Sequence, residues 1–137
     1  MTEPKVCIIG AGCSGITTAK RLKDHGIDYD QFELSDDVGG NWYFRNPNGR
    51  SSVYESLHID TSTSRLEFED FPAPADYPHF PHHTLIHQYF RDYVDHFGLR
   101  DAIHGADSSL AMSIAELPMP TTITRLPRIS IGSNGLT

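Results

Sequence analysis

Along the first third of the chain the apolar positions change their spacing twice. Residues 5 to 9, KVCII, form a continuous apolar and β-branched run that stops at Gly10, which predicts a short buried strand. From Ser14 to His25 the spacing becomes helical. Ile16, Ala19, Leu22 and the stem of Lys23 share one face, and Gly26 stands where a left-handed cap closes a helix. DYDQFE, residues 28 to 33, predicts a second strand carried by Tyr29 and Phe32.

After the polar loop SDDVGGNW the pattern dissolves. From Tyr43 to Pro81 the chain is rich in Pro, Ser, Asp and aromatic residues, with prolines at 72, 74, 78 and 81 that exclude a helix or a central strand there. A segment of this kind inside a compact domain is more often functional cover than linker. Helical spacing returns over residues 84 to 97, TLIHQYFRDYVDHF. Leu85, Ile86, Tyr89, Phe90, Tyr93, Val94 and Phe97 make a broad apolar face, and Gly98 closes the helix. Beyond about residue 103 no period is sustained. Residues 1–103 therefore read as one unit and 104–137 as a divergent tail, the product of a frameshift or another truncation.

Composition narrows the class. The chain has 137 residues, a 38% hydrophobic and a 21% charged fraction, which suits one globular domain. Its formal charge of -7, with Lys and Arg scattered singly, argues against a nucleic-acid partner. No apolar run approaches a membrane span, and MTEPK lacks the features of a signal peptide, so a cytoplasmic setting is expected. Cys7 and Cys13 flank a tight turn that a disulfide would distort. The oligomeric state is not legible.

The chemistry lies between strand and helix. Gly10, Gly12 and Gly15 come after a strand and open a helix in the GxGxxG order of dinucleotide sites. Gly10 permits the turn, Gly12 admits a pyrophosphate close to the backbone, and Gly15 lets helix and strand pack. Ala11, Cys13 and Ser14 complete the turn, whose free N–H groups lie at the positive end of the helix dipole. Glu33, 18 residues past Gly15, ends the second strand, where an acid accepts from ribose hydroxyls and repels a 2′-phosphate. That favours FAD or NAD over NADP. Gly39 and Gly40 then reverse the chain directly into Asn41 and Trp42, where a plain NAD fold would continue into another helix, and this favours FAD.

Other candidates carry less. His83 and His87 are four apart, a spacing able to bind metal, but no glutamate of a zinc hydrolase lies between them and no third ligand accompanies them. No metal site is expected; the histidines read as capping or surface groups. Cys13, at a helix start, could carry a depressed pKa, yet a small side chain tolerated in the turn explains it more simply.

Four stretches together, IIGAGCSGI, FELSDDVGGNWY, SVYESLHIDTSTSRLEFEDFPAPADYPHFP and HQYFRDYVDHFGL, resemble the N-terminal part of flavin-containing monooxygenases, with features shared by Baeyer–Villiger monooxygenases. The resemblance covers residues 5 to about 103. It implies an α/β, Rossmann-like FAD-binding domain with a parallel sheet, here incomplete. It implies FAD as cofactor and NADPH as co-substrate. The substrates implied are O2 and a small nucleophile such as an amine or sulfide, or a ketone, which receives one oxygen atom. By position, Gly10 to Ser14 would meet the pyrophosphate, Glu33 the ribose, and Asn41 and Trp42 the flavin side, with Gly15 and Gly40 also counted in the cofactor site. Asp60 and Thr61 would approach the isoalloxazine and nicotinamide. The family usually has asparagine at Asp60; an amide can donate to reactive oxygen, whereas an ionised carboxylate only accepts. The family's second glycine-rich turn, for NADPH, has no counterpart in these residues. Two other readings stay open: a truncated, non-catalytic FAD-binding remnant, and another FAD-dependent oxidoreductase.

Overall fold

A computed structural model describes residues 5–105 of the chain. Strand β1 (Val6–Ile9) leads through the glycine turn into helix α1 (Cys13–Asp24), and β2 (Tyr29–Glu33) returns parallel to β1 with Val6 opposite Tyr29 and Ile9 opposite Phe32. Next come a 3-10 turn (Gly40–Trp42), a short helix α2 (Thr63–Leu66), the long helix α3 (His83–His96) and a second 3-10 turn (Arg100–Ala102). The two strands and two long helices expected from apolar spacing are present, with limits shifted by about one residue.

A third parallel strand, β3 (Ile103–Gly105), pairs with the other side of β2 and makes the order β1-β2-β3. It was not predicted. Three residues are too few to show a period, and β3 is a strand because β2 offers it an edge. Of the tail read as divergent, residues 106–137 lie outside the described residues.

Helix α1 forms because Ile16 and Ala19 fall on one face and are wholly buried, while Lys20 and Asp24 pair along the exposed side at 2.6 Å. It ends at Gly26, whose φ of +64° suits a glycine. Helix α3 buries more: Ile86, Tyr89, Phe90, Tyr93 and Val94 are all inside and, with Ile8, Val38 and Leu99, make the core. Burying each of the larger side chains contributes roughly 1.5–3 kcal/mol. The Lys23 ammonium donates to the Phe97 and Gly98 carbonyls at 2.6 and 2.9 Å, so α1 caps the end of α3.

The proline-rich segment is fastened to α3 by tyrosine hydroxyls. Tyr89 accepts from the Phe68 N–H at 2.8 Å and donates to the Phe71 carbonyl, while Tyr77 donates to the Leu85 carbonyl at 3.0 Å. Phe68 and Phe71 pack edge-on or tilted among Tyr89, Tyr93 and Phe97. With regular ladders excluded by proline, aromatic packing and these hydroxyls hold the segment. Among the described residues no helix is long and apolar enough to cross a membrane.

Candidate functional site

The parallel strands bring Ile9 and Glu33 to the same edge of the sheet, the carboxyl end, where the chain must leave for the next element. Strand β1 runs directly into the turn Gly10-Ala11-Gly12, whose peptides are held by three successive residues of β2. The Gln31 side-chain amide donates to the Gly10 carbonyl at 2.8 Å. The Gly10 N–H donates to the Phe32 carbonyl at 2.7 Å. The Ala11 N–H donates to Glu33 Oε2 at 2.5 Å. From the far side, the Gly39 N–H donates to the Ala11 carbonyl at 2.9 Å.

The glycines have separate tasks. Gly10 adopts φ +93°, open only to glycine at little cost. A Cβ on Gly15 would lie 2.1 Å from the Gly10 carbonyl oxygen, so helix and turn are in backbone contact there. Gly12 and Gly40 face one another: a Cβ on Gly40 would come within 2.9 Å of the Gly12 Cα. Helix α1 begins beside that pair with no side-chain cap and no acid in its first turn. Its leading N–H groups are therefore available to an acceptor from outside the chain.

Glu33 is buried, and its second oxygen, Oε1, accepts from the Ser35 N–H at 2.8 Å. A groove of about 270 Å³ runs past it, lined by Gly10, Glu33, Gly40, Asn41, Asn48 and Arg50 among others. The loop carrying Arg50 is built by its asparagines. Asn46 accepts from the Asn48 N–H, Asn48 donates to the Ser35 hydroxyl at 2.7 Å, and Asn48 Oδ1 accepts from the Arg50 N–H at 2.8 Å. Arg50 makes no ion pair among the described residues.

Four of the candidate residues, Gly10, Glu33, Gly40 and Asn41, share this groove, and Gly12 lies against Gly40 at its border. Cys13, Ser14 and Gly15 open α1 directly after the turn and do not line the groove; desolvation raises the Cys13 thiol above its usual range, opposite to a reactive thiolate. The Asn41 side-chain oxygen accepts from the Ser52 N–H and hydroxyl, at 2.9 and 2.8 Å. Trp42 packs against the core rather than into the groove. Asp60 and Thr61 are exposed on the segment that hydrogen-bonds to residues 79–81, and they do not line the groove.

The histidines go to separate places. His82 caps α3, accepting from the Thr84 N–H at 3.4 Å. His83 is buried, contrary to the capping or surface position expected, because it packs on Phe44 beneath the Glu55 carbonyl. His87 reaches the Val38 carbonyl at 2.8 Å and stacks on Tyr43. A larger hollow of about 670 Å³, lined by Asp37, Arg91 and Arg100 among others, is not the better site. Its charges already satisfy one another, Asp37 with Arg91 at 2.8 Å and Arg100 with Asp95 at 2.7 Å.

Gln31, Asn48 and Arg50 gave no signal in the sequence. Gln31 lies inside a predicted strand with no motif to mark it, and Arg50 is a lone charge in a loop.

Comparison with known proteins bears on the same residues. A family model described as flavin-binding monooxygenase-like matches residues 3–114. Flavin-containing monooxygenase 5 of Rattus norvegicus is 43% identical over 101 residues, covering 72% of this chain and 19% of its own length. Among solved structures, S-allyl-L-cysteine S-oxygenase from Allium sativum aligns with a TM-score of 0.68 and 27% identity, over 74% of this chain and 27% of that one. A closed cyclohexanone monooxygenase aligns with a TM-score of 0.63 and 25% identity, over 74% of this chain and 19% of that one. The chain thus spans about a fifth of the length of the curated relative.

Proposed function

Since this chain belongs to the flavin-binding monooxygenase-like family, we propose that its glycine turn and groove bind the adenosine diphosphate half of FAD, as the cofactor site of a flavin monooxygenase. The observation that carries this reading is the clamping of the turn. Gly10 and Ala11 have both their N–H and C=O groups engaged by residues 31–33 and Gly39, so the uncapped start of α1, which follows directly on the turn, is left for an acceptor from outside the chain. The cradle fits a diphosphate: Gly12 has no side chain to fill it, and α1 has no carboxylate of its own to compete.

In this reading the N–H groups at Cys13, Ser14 and Gly15 receive phosphate oxygens. Glu33, already fixed by Ala11 and Ser35, turns its remaining lone pairs to ribose hydroxyls and disfavours a 2′-phosphate. Arg50 supplies the local positive charge that a chain of net charge -7 otherwise lacks at this groove. Gly40 keeps the backbone beyond the turn close to the cofactor, and Trp42 braces that loop on the core. Asn41 acts on the flavin side through its backbone and by holding Ser52. Asp60 and Thr61 lie toward the isoalloxazine and nicotinamide.

FAD, reduced by NADPH, supplies the chemistry by which one atom of O2 passes to a substrate. The names of the relatives support sulfur and ketone substrates, and amines belong to the same class of soft nucleophile. A second reading, a chain that binds FAD without turnover, is favoured by Asp60, an acceptor-only carboxylate where the family usually has an asparagine able to donate. The cytoplasm is the compartment that suits an NADPH-dependent reaction and two free cysteines.

Titration of the purified 137-residue chain with FAD, followed by flavin fluorescence, tests the site. Saturable one-to-one binding, with FMN much weaker because it lacks the adenosine monophosphate part and so the second phosphate, supports the proposal. An absence of FAD binding at high micromolar concentration overturns it. NADPH consumption by the loaded protein then separates the enzyme from the non-catalytic binder.

A further inference from the structure

We propose that Gln31 is a positioning residue for the cofactor: its side-chain amide, bound to the Gly10 carbonyl, sets the orientation of the glycine turn from beneath. Gln31 stands in mid-strand on β2, opposite Ile8 in register, with none of its surface exposed. An apolar residue is the expected occupant of such a place, as Ile8 is beside it. Instead the amide nitrogen lies 2.8 Å from the Gly10 oxygen. It also lies 2.9 Å from where a Cβ on Gly15 would stand, so it occupies the angle between turn and helix.

The donor has to be Nε2, because the other orientation would set two oxygens against each other. That choice leaves Oε1 buried with no partner among the described residues. A buried acceptor left unmade is a cost to the fold. What the cost secures is a peptide. The Gly10–Ala11 peptide is held at both ends, its C=O by Gln31 and its N–H by Glu33, so the first peptide of the turn cannot rotate. The Ala11 and Gly12 peptides beyond it point their groups accordingly. This role rests on the FAD reading and adds to it a residue that touches no ligand.

The test uses the 137-residue chain and its Gln31→Leu and Gln31→Glu variants, with FAD affinity from flavin fluorescence and folding from circular dichroism. Gln31→Leu fills the same space without a donor. It should keep the wild-type melting temperature or raise it, yet bind FAD roughly five- to tenfold more weakly, the worth of one hydrogen bond. Gln31→Glu gives a pH signature. Ionised, its carboxylate opposes the Gly10 carbonyl; protonated, it donates to it. Its affinity relative to wild type should therefore recover as the pH falls from about 8 to about 5.5.

A role in packing alone leaves that ratio flat with pH. Equal affinity in a folded Gln31→Leu variant, or a flat Gln31→Glu ratio, overturns the inference. If the Leu variant does not fold, the Glu ratio decides. Wild-type protein that fails to bind FAD refutes the underlying reading instead, and with it this one, and is distinguished by the wild-type titration alone.

Discussion

Glu33 and Ala11 are 22 residues apart in sequence and joined by a 2.5 Å hydrogen bond, backbone N–H to carboxylate, at the end of the sheet. The other oxygen of the same carboxylate accepts from Ser35. Glu33 is thus a structural clamp before it is a ligand. Replacing it by Gln puts an NH2 against one of two N–H donors. Glu33→Gln should lower the unfolding free energy by about 1–3 kcal/mol, the cost of one buried unpaired group, and weaken FAD binding as well. Urea unfolding and FAD titration on the same protein measure both; a variant of unchanged stability would show that the clamp carries no energy.

Gly12 and Gly15 should respond to alanine in opposite ways. At Gly12 a Cβ meets the Gly40 Cα at 3.5 Å, an ordinary contact, whereas at Gly15 it meets the Gly10 oxygen at 2.1 Å. Gly12→Ala should fold nearly as well as wild type and lose FAD. Gly15→Ala should be destabilised by several kcal/mol, because backbone on both sides has to move. Melting temperatures and FAD titrations of the two variants check the separation; the reverse order would contradict it.

Arg50→Gln removes the cation of the groove without touching the turn. FAD should bind the variant about tenfold more weakly at low salt, in line with loss of a charge-assisted contact to phosphate. The salt dependence should also become shallower. Affinity measured across a range of ionic strength reads both, and an unchanged slope would place Arg50 away from the phosphates.

His83 predicts an acid-sensitive fold. Burial holds its pKa below the usual 6.5, helped by the charges of His82, His58 and His87, while the hydrogen bond to the Glu55 carbonyl opposes the shift. The unfolded chain takes up a proton near pH 6.5 and the folded chain does not, so stability is present above that pH and is lost as the pH falls below it. Urea midpoints should therefore drop between about pH 7.5 and 5.5. The drop should be smaller in His83→Gln, which does not titrate. Equal slopes in the two proteins would remove His83 from the account.

Much of the architecture was legible beforehand, for identifiable reasons. Strand, turn and helix around Gly10 announce themselves because apolar spacing and glycine placement are local signals, and the apolar face of α3 is long enough to show its period. Gly26 and Gly98 were recognisable caps, and both have positive φ. β3 was not legible, since a three-residue strand exists only by virtue of its neighbour. The burial of His83 was equally hidden: it depends on Phe44 and Glu55, which come from distant parts of the chain. Gln31 and Arg50 were invisible for the same reason, as their meaning lies in what they face.

The grips on the glycine turn carry a consequence for how the site comes into being. Every atom that holds Gly10 and Ala11 arrives from residues 31–33 or from Gly39, and the loop bearing Gly39 is itself held through Val38 by His87, 49 residues further on. A synthetic peptide of residues 5–25, carrying the whole fingerprint, would have the right letters and no fixed shape. Loop closure over these separations must precede nucleotide recognition, so the shortest local motif in the chain is among the last features to mature as it folds.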